Sequence, residues 1–122
     1  MTNKYYLNHL KQLLKNLIST NHLHDKLIPK EIVWNISSDI ASEWDYENID
    51  FFVQKLLDNN IISINVQKKI KTICDNFKKV SLNGNQYDQS IWTFEGFFNH
   101  SFWKRQREIA KDLFEELDKI RV

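Results

Sequence analysis

Two glycines, Gly84 and Gly96, and one proline, Pro29, are all that a chain of 122 residues contains, and this scarcity limits the fold more than any other feature. All-β folds reverse direction roughly every ten residues and draw on glycine and proline to do so. A chain without them is left with helices and a few connecting loops. The same scarcity removes glycine-cradled phosphate sites, since neither a GxGxxG nor a P-loop pattern can be found.

The apolar periodicity agrees. Tyr6, Leu7, Leu10, Leu13, Leu14, Leu17 and Ile18 recur at three- and four-residue steps and predict a helix over 3–20. Residues 21–28 read as a loop. Pro29 suits the first turn of a second helix, where its missing N–H costs nothing. That helix carries Ile32, Val33, Ile36 and Ile40 on one face, continued by Trp44. Asp45 or Asn48 suits the cap of a third helix with Ile49, Phe52, Val53, Leu56 and Leu57 as its apolar side. Asn59-Asn60 provides its stop. A fourth helix starts at Ser63 or Asn65 and carries Val66, Ile70, Ile73, Phe77 and Val80. The clearest turn is 81–86; Asn83-Gly84 would also suit a hairpin, but the flanks alternate poorly. Residues 90–99 are rich in aromatics and predict a short helix interrupted at Gly96. Ser101 is the expected cap of a last helix reaching Ile120, with Phe102, Ile109, Leu113, Phe114 and Leu117 facing inward. The expected fold is all-α, a compact array of five to six helices in a single domain spanning residues 1–122.

Composition closes off several functions. Hydrophobic residues make up 42% of the chain, too many for intrinsic disorder. No apolar run approaches the length of a membrane span. The opening Met-Thr-Asn-Lys-Tyr-Tyr lacks the apolar core of a signal peptide, so a cytoplasmic location with no membrane partner is expected. The single cysteine, Cys74, has no partner for an intramolecular disulfide; beside Ile70, Ile73 and Phe77 it reads as a buried core thiol. His22, His24 and Asp25 fall short of the four ligands of a structural zinc site, so neither a metal nor a cofactor is expected. There is no GxSxG elbow and no base–nucleophile pair, so the expectation is a binding protein with no catalytic residues.

With a net charge of +1, any electrostatic function must come from local patches. The sharpest patch is acidic: Asp39, Glu43, Asp45, Glu47 and Asp50 lie within twelve residues that hold no Lys or Arg. Trp44 and Tyr46 sit among them. Carboxylates flanking aromatic anchors are what a surface needs to dock a basic partner. Asp39, Glu43, Asp45, Tyr46, Glu47 and Asp50 are therefore the candidate partner-binding residues. Two basic stretches, Lys68, Lys69, Lys71, Lys78 and Lys79 and then Lys104, Arg105 and Arg107 beside Trp103, offer an alternative, helical nucleic-acid binding. The near-neutral total charge weighs against it. The aromatic block of Trp92, Phe94, Phe97, Phe98, Phe102 and Trp103 is expected in the core, with an exposed docking patch or an apolar ligand pocket as the alternative.

In its size, its helical pattern, the stretches from Ile32-Val-Trp-Asn-Ile36 to Trp44-Asp-Tyr-Glu47 and the Ile91-Trp-Thr-Phe-Glu95 segment before a charged terminal helix, the chain resembles a known class. It is similar to the small all-helical immunity proteins of bacterial polymorphic toxin systems, including contact-dependent growth inhibition. The resemblance implies a protein that neutralises a cognate toxin domain by forming a complex with it. The near-neutral charge departs from the overall acidity frequent among inhibitors of nucleases.

Overall fold

The computed structural model of the chain describes residues 2–20 and 30–121, except for the side chains of residues 30, 31 and 33–35. Pro29, the expected loop over 21–28 and the group His22, His24 and Asp25 lie outside the described residues. Among the described residues six α-helices follow one another: α1 (Asn3–Ile18), α2 (Lys30–Glu43), α3 (Tyr46–Asp58), α4 (Ile64–Val80), α5 (Phe94–Asn99) and α6 (Ser101–Asp118), with a 3₁₀ turn at Gln89–Trp92 before α5. No strand occurs among the described residues. The fold is all-α, as the glycine and proline content predicts.

Local chemistry sets the helix ends. The Thr2 hydroxyl accepts the Tyr5 N–H at 3.2 Å to start α1. Of the two caps expected for α3, Asp45 is the one used: its carboxylate accepts the Glu47 N–H at 3.1 Å. Ser63, not Asn65, opens α4 by accepting the Val66 N–H at 3.2 Å. The Asn59-Asn60 stop is a Schellman ending. Asn60 takes a φ of 59°, and the N–H groups of Asn60 and Ile61 reach back to Leu57 O and Leu56 O at 3.0 and 2.9 Å. Lys78 and Lys79 close the last turn of α4, where cations oppose the helix dipole.

Several expectations are corrected. α1 ends as an α-helix at Ile18, and residues 19–20 tighten into a 3₁₀ turn. Residues 83–84 form no hairpin; the Gly84 N–H closes a turn on Ser81 O at 2.8 Å, and Gln86 donates to Lys79 O at 2.9 Å. Gly96 does not interrupt the short helix but lies inside α5. The break comes at His100, whose ring Nδ1 accepts the Phe102 N–H at 2.9 Å. His100 is thus the cap of α6, and Ser101 is its first residue. Ile32 does not join the core and stays 47% exposed.

α6 is the central element, packed against α1, α4 and α5, while α1 also packs on α3. Around the buried Trp103 stand the rings of Phe77, Trp92, Phe97 and Phe102, with centroids 4.7–5.8 Å away. The aromatic block is therefore core and not a docking patch. Its polar atoms are partnered: Trp103 Nε1 donates to Ile91 O at 2.8 Å, and Trp92 Nε1 to Val80 O at 3.0 Å. The buried amide of Gln106 donates to Ile73 O at 3.0 Å and accepts from Asn76 at 2.9 Å, tying α6 to α4. Among the described residues no buried side-chain nitrogen or oxygen lacks a partner. None of the described helices is long and apolar enough to cross a membrane.

Candidate partner-binding surface

The six residues of the acidic segment do not share one surface. Asp39 and Glu43, one turn apart on α2, face the end of α1. With Asn16, Thr20 and Ile36 they line a shallow hollow of about 290 Å3. Asn16 Nδ2 reaches the Glu43 carboxylate at 3.5 Å. Asp45, Tyr46 and Glu47 instead lie on the rim of a larger cleft of about 1010 Å3 between the end of α2, the start of α3 and α4. Trp44, Cys74, Phe77 and Trp92 line its interior, and Lys71 and Lys78 stand on the α4 side. Asp50 lines neither; it is exposed on α3, one turn from Tyr46 and close enough to act on the Tyr46 hydroxyl.

The aromatic anchors differ from those the sequence suggests. Trp44 is only 2% exposed; it continues the buried stripe of α2 and offers nothing to a partner. Tyr46 is half-buried. Its hydroxyl accepts from Gln67 at 3.4 Å, and the Lys71 ammonium stands 5.8 Å from its ring centre. Burial, reinforced by the nearby Asp50 charge, raises the hydroxyl's pKa above its ordinary value.

On α3 itself the exposed aromatic is Phe51, at 61% exposure, while Tyr87, 40% exposed, lines the cleft beside Asp45 and Glu47. Glu47, Phe51, Gln54 and Asp58 recur at four-, three- and four-residue steps, so they form one outward stripe of α3, with Asp50 and Lys55 beside it. Glu47, Asp50 and Asp58 are exposed, and none of them forms an ion pair with another described residue. The sequence carried a signal for Phe51: it is the one large apolar residue of α3 that falls off the stripe formed by Ile49, Phe52, Val53, Leu56 and Leu57.

α1 extends the same surface. Its N-terminal half lies along α3, with Asn59 Nδ2 bonded to Asn3 Oδ1 at 2.9 Å. Tyr6 packs edge-on against Phe51 at 6.0 Å and parallel to Phe52 at 6.5 Å. His9 meets Phe52 edge-on at 4.7 Å, and Tyr5 stacks on His9 at 6.4 Å.

The two basic stretches fare differently. Lys68, Lys71, Lys78 and Lys79 share one exposed face of α4, with the Asp75 carboxylate among them. Lys69 is paired with Glu116 at 3.3 Å. In the second stretch Arg107 is occupied structurally. Half-buried, it donates to Thr20 Oγ1 and Phe97 O at 3.2 Å and to Phe98 O at 3.3 Å. No group of three His, Cys, Asp or Glu side chains placed to hold a metal occurs among the described residues.

Neither a protein-family model, nor a curated protein, nor a solved structure matches the chain.

Proposed function

We propose that this protein is a binding protein and not an enzyme: a cytoplasmic immunity protein that neutralises a cognate bacterial toxin domain by direct complex formation. One observation carries the docking part of the reading. Asp45, Glu47 and Asp50 present exposed carboxylates at the start of α3, with no ion pair to another described residue. The complementary field between such charges and a basic partner gives orientation and speed of encounter. The toxin assignment rests on the resemblance in size and helical pattern.

The test is a pull-down of the tagged protein from its native bacterium, followed by kinetics on the recovered toxin fragment. Asp45 caps α3, so reversing its charge would also cost about 1 kcal/mol of helix stability. Asp45→Asn keeps the cap and removes the charge, and Glu47→Lys adds the reversal. Together they should slow association about tenfold at low salt and flatten its salt dependence, and the lysine in the first turn of α3 should lower the melting temperature only slightly. An unaltered association rate removes this patch from the interface. Absence of any toxin fragment in the pull-down removes the immunity assignment.

The four lysines on the exposed face of α4 favour a second reading, nucleic-acid binding. It requires duplex binding that weakens steeply with salt and is lost in Lys68→Glu, Lys79→Glu. A flat titration at low salt ends it.

A further inference from the structure

Five rings gather where α1 lies along α3. Tyr6 and Phe52 form the half-buried base, and the exposed Tyr5, His9 and Phe51 stand on either side of it. Tyr6 is edge-on to both Tyr5 and Phe51, at 5.8 and 6.0 Å with interplanar angles near a right angle. The result is an aromatic notch open to solvent. Tyr5 is 51% and Phe51 61% exposed. Isolated exposed rings are ordinary, but rings gathered on one surface mark an interaction site. Three exposed carboxylates, Glu47, Asp50 and Asp58, border Phe51 along α3 against one cation on that face, Lys55.

We infer that this notch is the anchoring subsite of the acidic surface, and that it receives an arginine-bearing amphipathic segment of a protein partner. Its apolar side chain would enter between Tyr5 and Phe51, and its guanidinium groups would meet Glu47, Asp50 and Asp58. The Lys55 ammonium already stands 5.4 Å from the Phe51 ring centre, so the ring face accepts a cation. Guanidinium groups satisfy carboxylates and ring faces together, which an ammonium does less well. A second copy of this chain is a poorer occupant. A two-fold contact here would set the same three carboxylates against each other around the rings. The inference rests on the protein-binding reading above but not on the toxin assignment.

The experiment is a 1H–15N titration of the full chain with a synthetic peptide whose arginines flank a Leu-Phe-Leu centre. A control peptide carries glutamates in place of the arginines. The arginine peptide should shift amides in 5–9 and 47–58, and the glutamate peptide should not. Phe51→Ala should weaken binding about tenfold, the scale of an anchoring aromatic, without moving the melting temperature. Glu47→Lys with Asp50→Lys should weaken it similarly. If the charge reversal weakens binding and Phe51→Ala does not, the notch is overturned while the acidic docking surface stands. If Phe51→Ala weakens binding and charge reversal does not, the arginine-bearing occupant is overturned together with the electrostatic docking reading. Absence of shifts in 5–9 and 47–58 overturns the inference. So does a dimer in light scattering that Phe51→Ala dissolves, because the notch is then covered by a second copy.

Discussion

Cys74 sits 5% exposed beside the apolar side chains of α4, where a thiolate would lose its hydration. Burial, with the charges of Asp75 and Asp45 nearby, pushes its pKa from the ordinary 9.0 up to about 12. The folded value lies above the unfolded one, so the stability linked to this thiol is fully present below pH 9.0 and drains away as pH rises towards 12. Burial raises the Tyr46 hydroxyl too, with the same sign. The melting temperature should therefore hold steady through neutral pH and fall above about pH 9. Thiol reagents at pH 8 should label the native protein far more slowly than the denatured one; rapid native labelling would show that the thiol is not buried as described. At this same scale the candidate surface is half legible in the sequence. The carboxylates and Phe51 can be read from residue type and from helical position alone. Tyr5 and His9 cannot, because only the packing of α1 on α3 brings them to Phe51. Trp44 misleads for the complementary reason: its place among acidic neighbours in sequence says nothing of the core beneath α2.

Helix ends carry the next set of consequences. A Cβ added at Gly96 would run into the backbone carbonyl of Ser90, because the 3₁₀ turn folds back tightly onto α5. Gly96→Ala should accordingly cost about 3 kcal/mol, at the upper end for overpacking, and be read as a lowered midpoint in urea. Arg107 holds this region from the other side, donating to the Phe97 and Phe98 carbonyls at the end of α5 and to Thr20. Arg107→Lys should lose about 2 kcal/mol, since one ammonium cannot reach three acceptors spread over α5 and the turn after α1, and buried acceptors are left unmet. A midpoint equal to wild type would place those carbonyls in contact with water. These two positions also explain what the sequence leaves illegible. α1, α3, α4 and α6 each bury one face over three or more turns, so a 3.6-residue stripe marks them. α5 has six residues, under two turns, and consecutive residues Gly96, Phe97 and Phe98 are all buried, so no stripe exists to read. Its boundary with α6 is set by an imidazole nitrogen, a cap that residue statistics favouring Ser, Thr, Asp and Asn do not reveal.

Over the whole molecule, near-neutrality conceals separation. Seventeen Lys and Arg stand against sixteen Asp and Glu, yet the outer face of α3 bears Glu47, Asp50 and Asp58 while that of α4 bears Lys68, Lys71, Lys78 and Lys79. Beneath both faces lies one shared core. α6 contacts α1, α4 and α5, and its Leu113 is fully buried. The surface charges and the core should thus respond to different perturbations. Salt and charge reversal at Glu47 and Asp50 should move binding rates strongly and the melt only slightly, because exposed carboxylates with no ion pair contribute little to folding beyond the dipole term at the start of the helix. Leu113→Ala, by contrast, opens a cavity in the helix that the others share and should cost about 3 kcal/mol. Because α1 and α4 both lean on α6, that loss should lower a single transition. Far-ultraviolet dichroism, reporting all the helices, and intrinsic fluorescence of the four tryptophans, of which Trp44, Trp92 and Trp103 are buried, should therefore shift together. Fluorescence falling before the helical signal would mean that the α4–α6 aromatic core melts apart from α1, and the shared core would have to be redrawn as two.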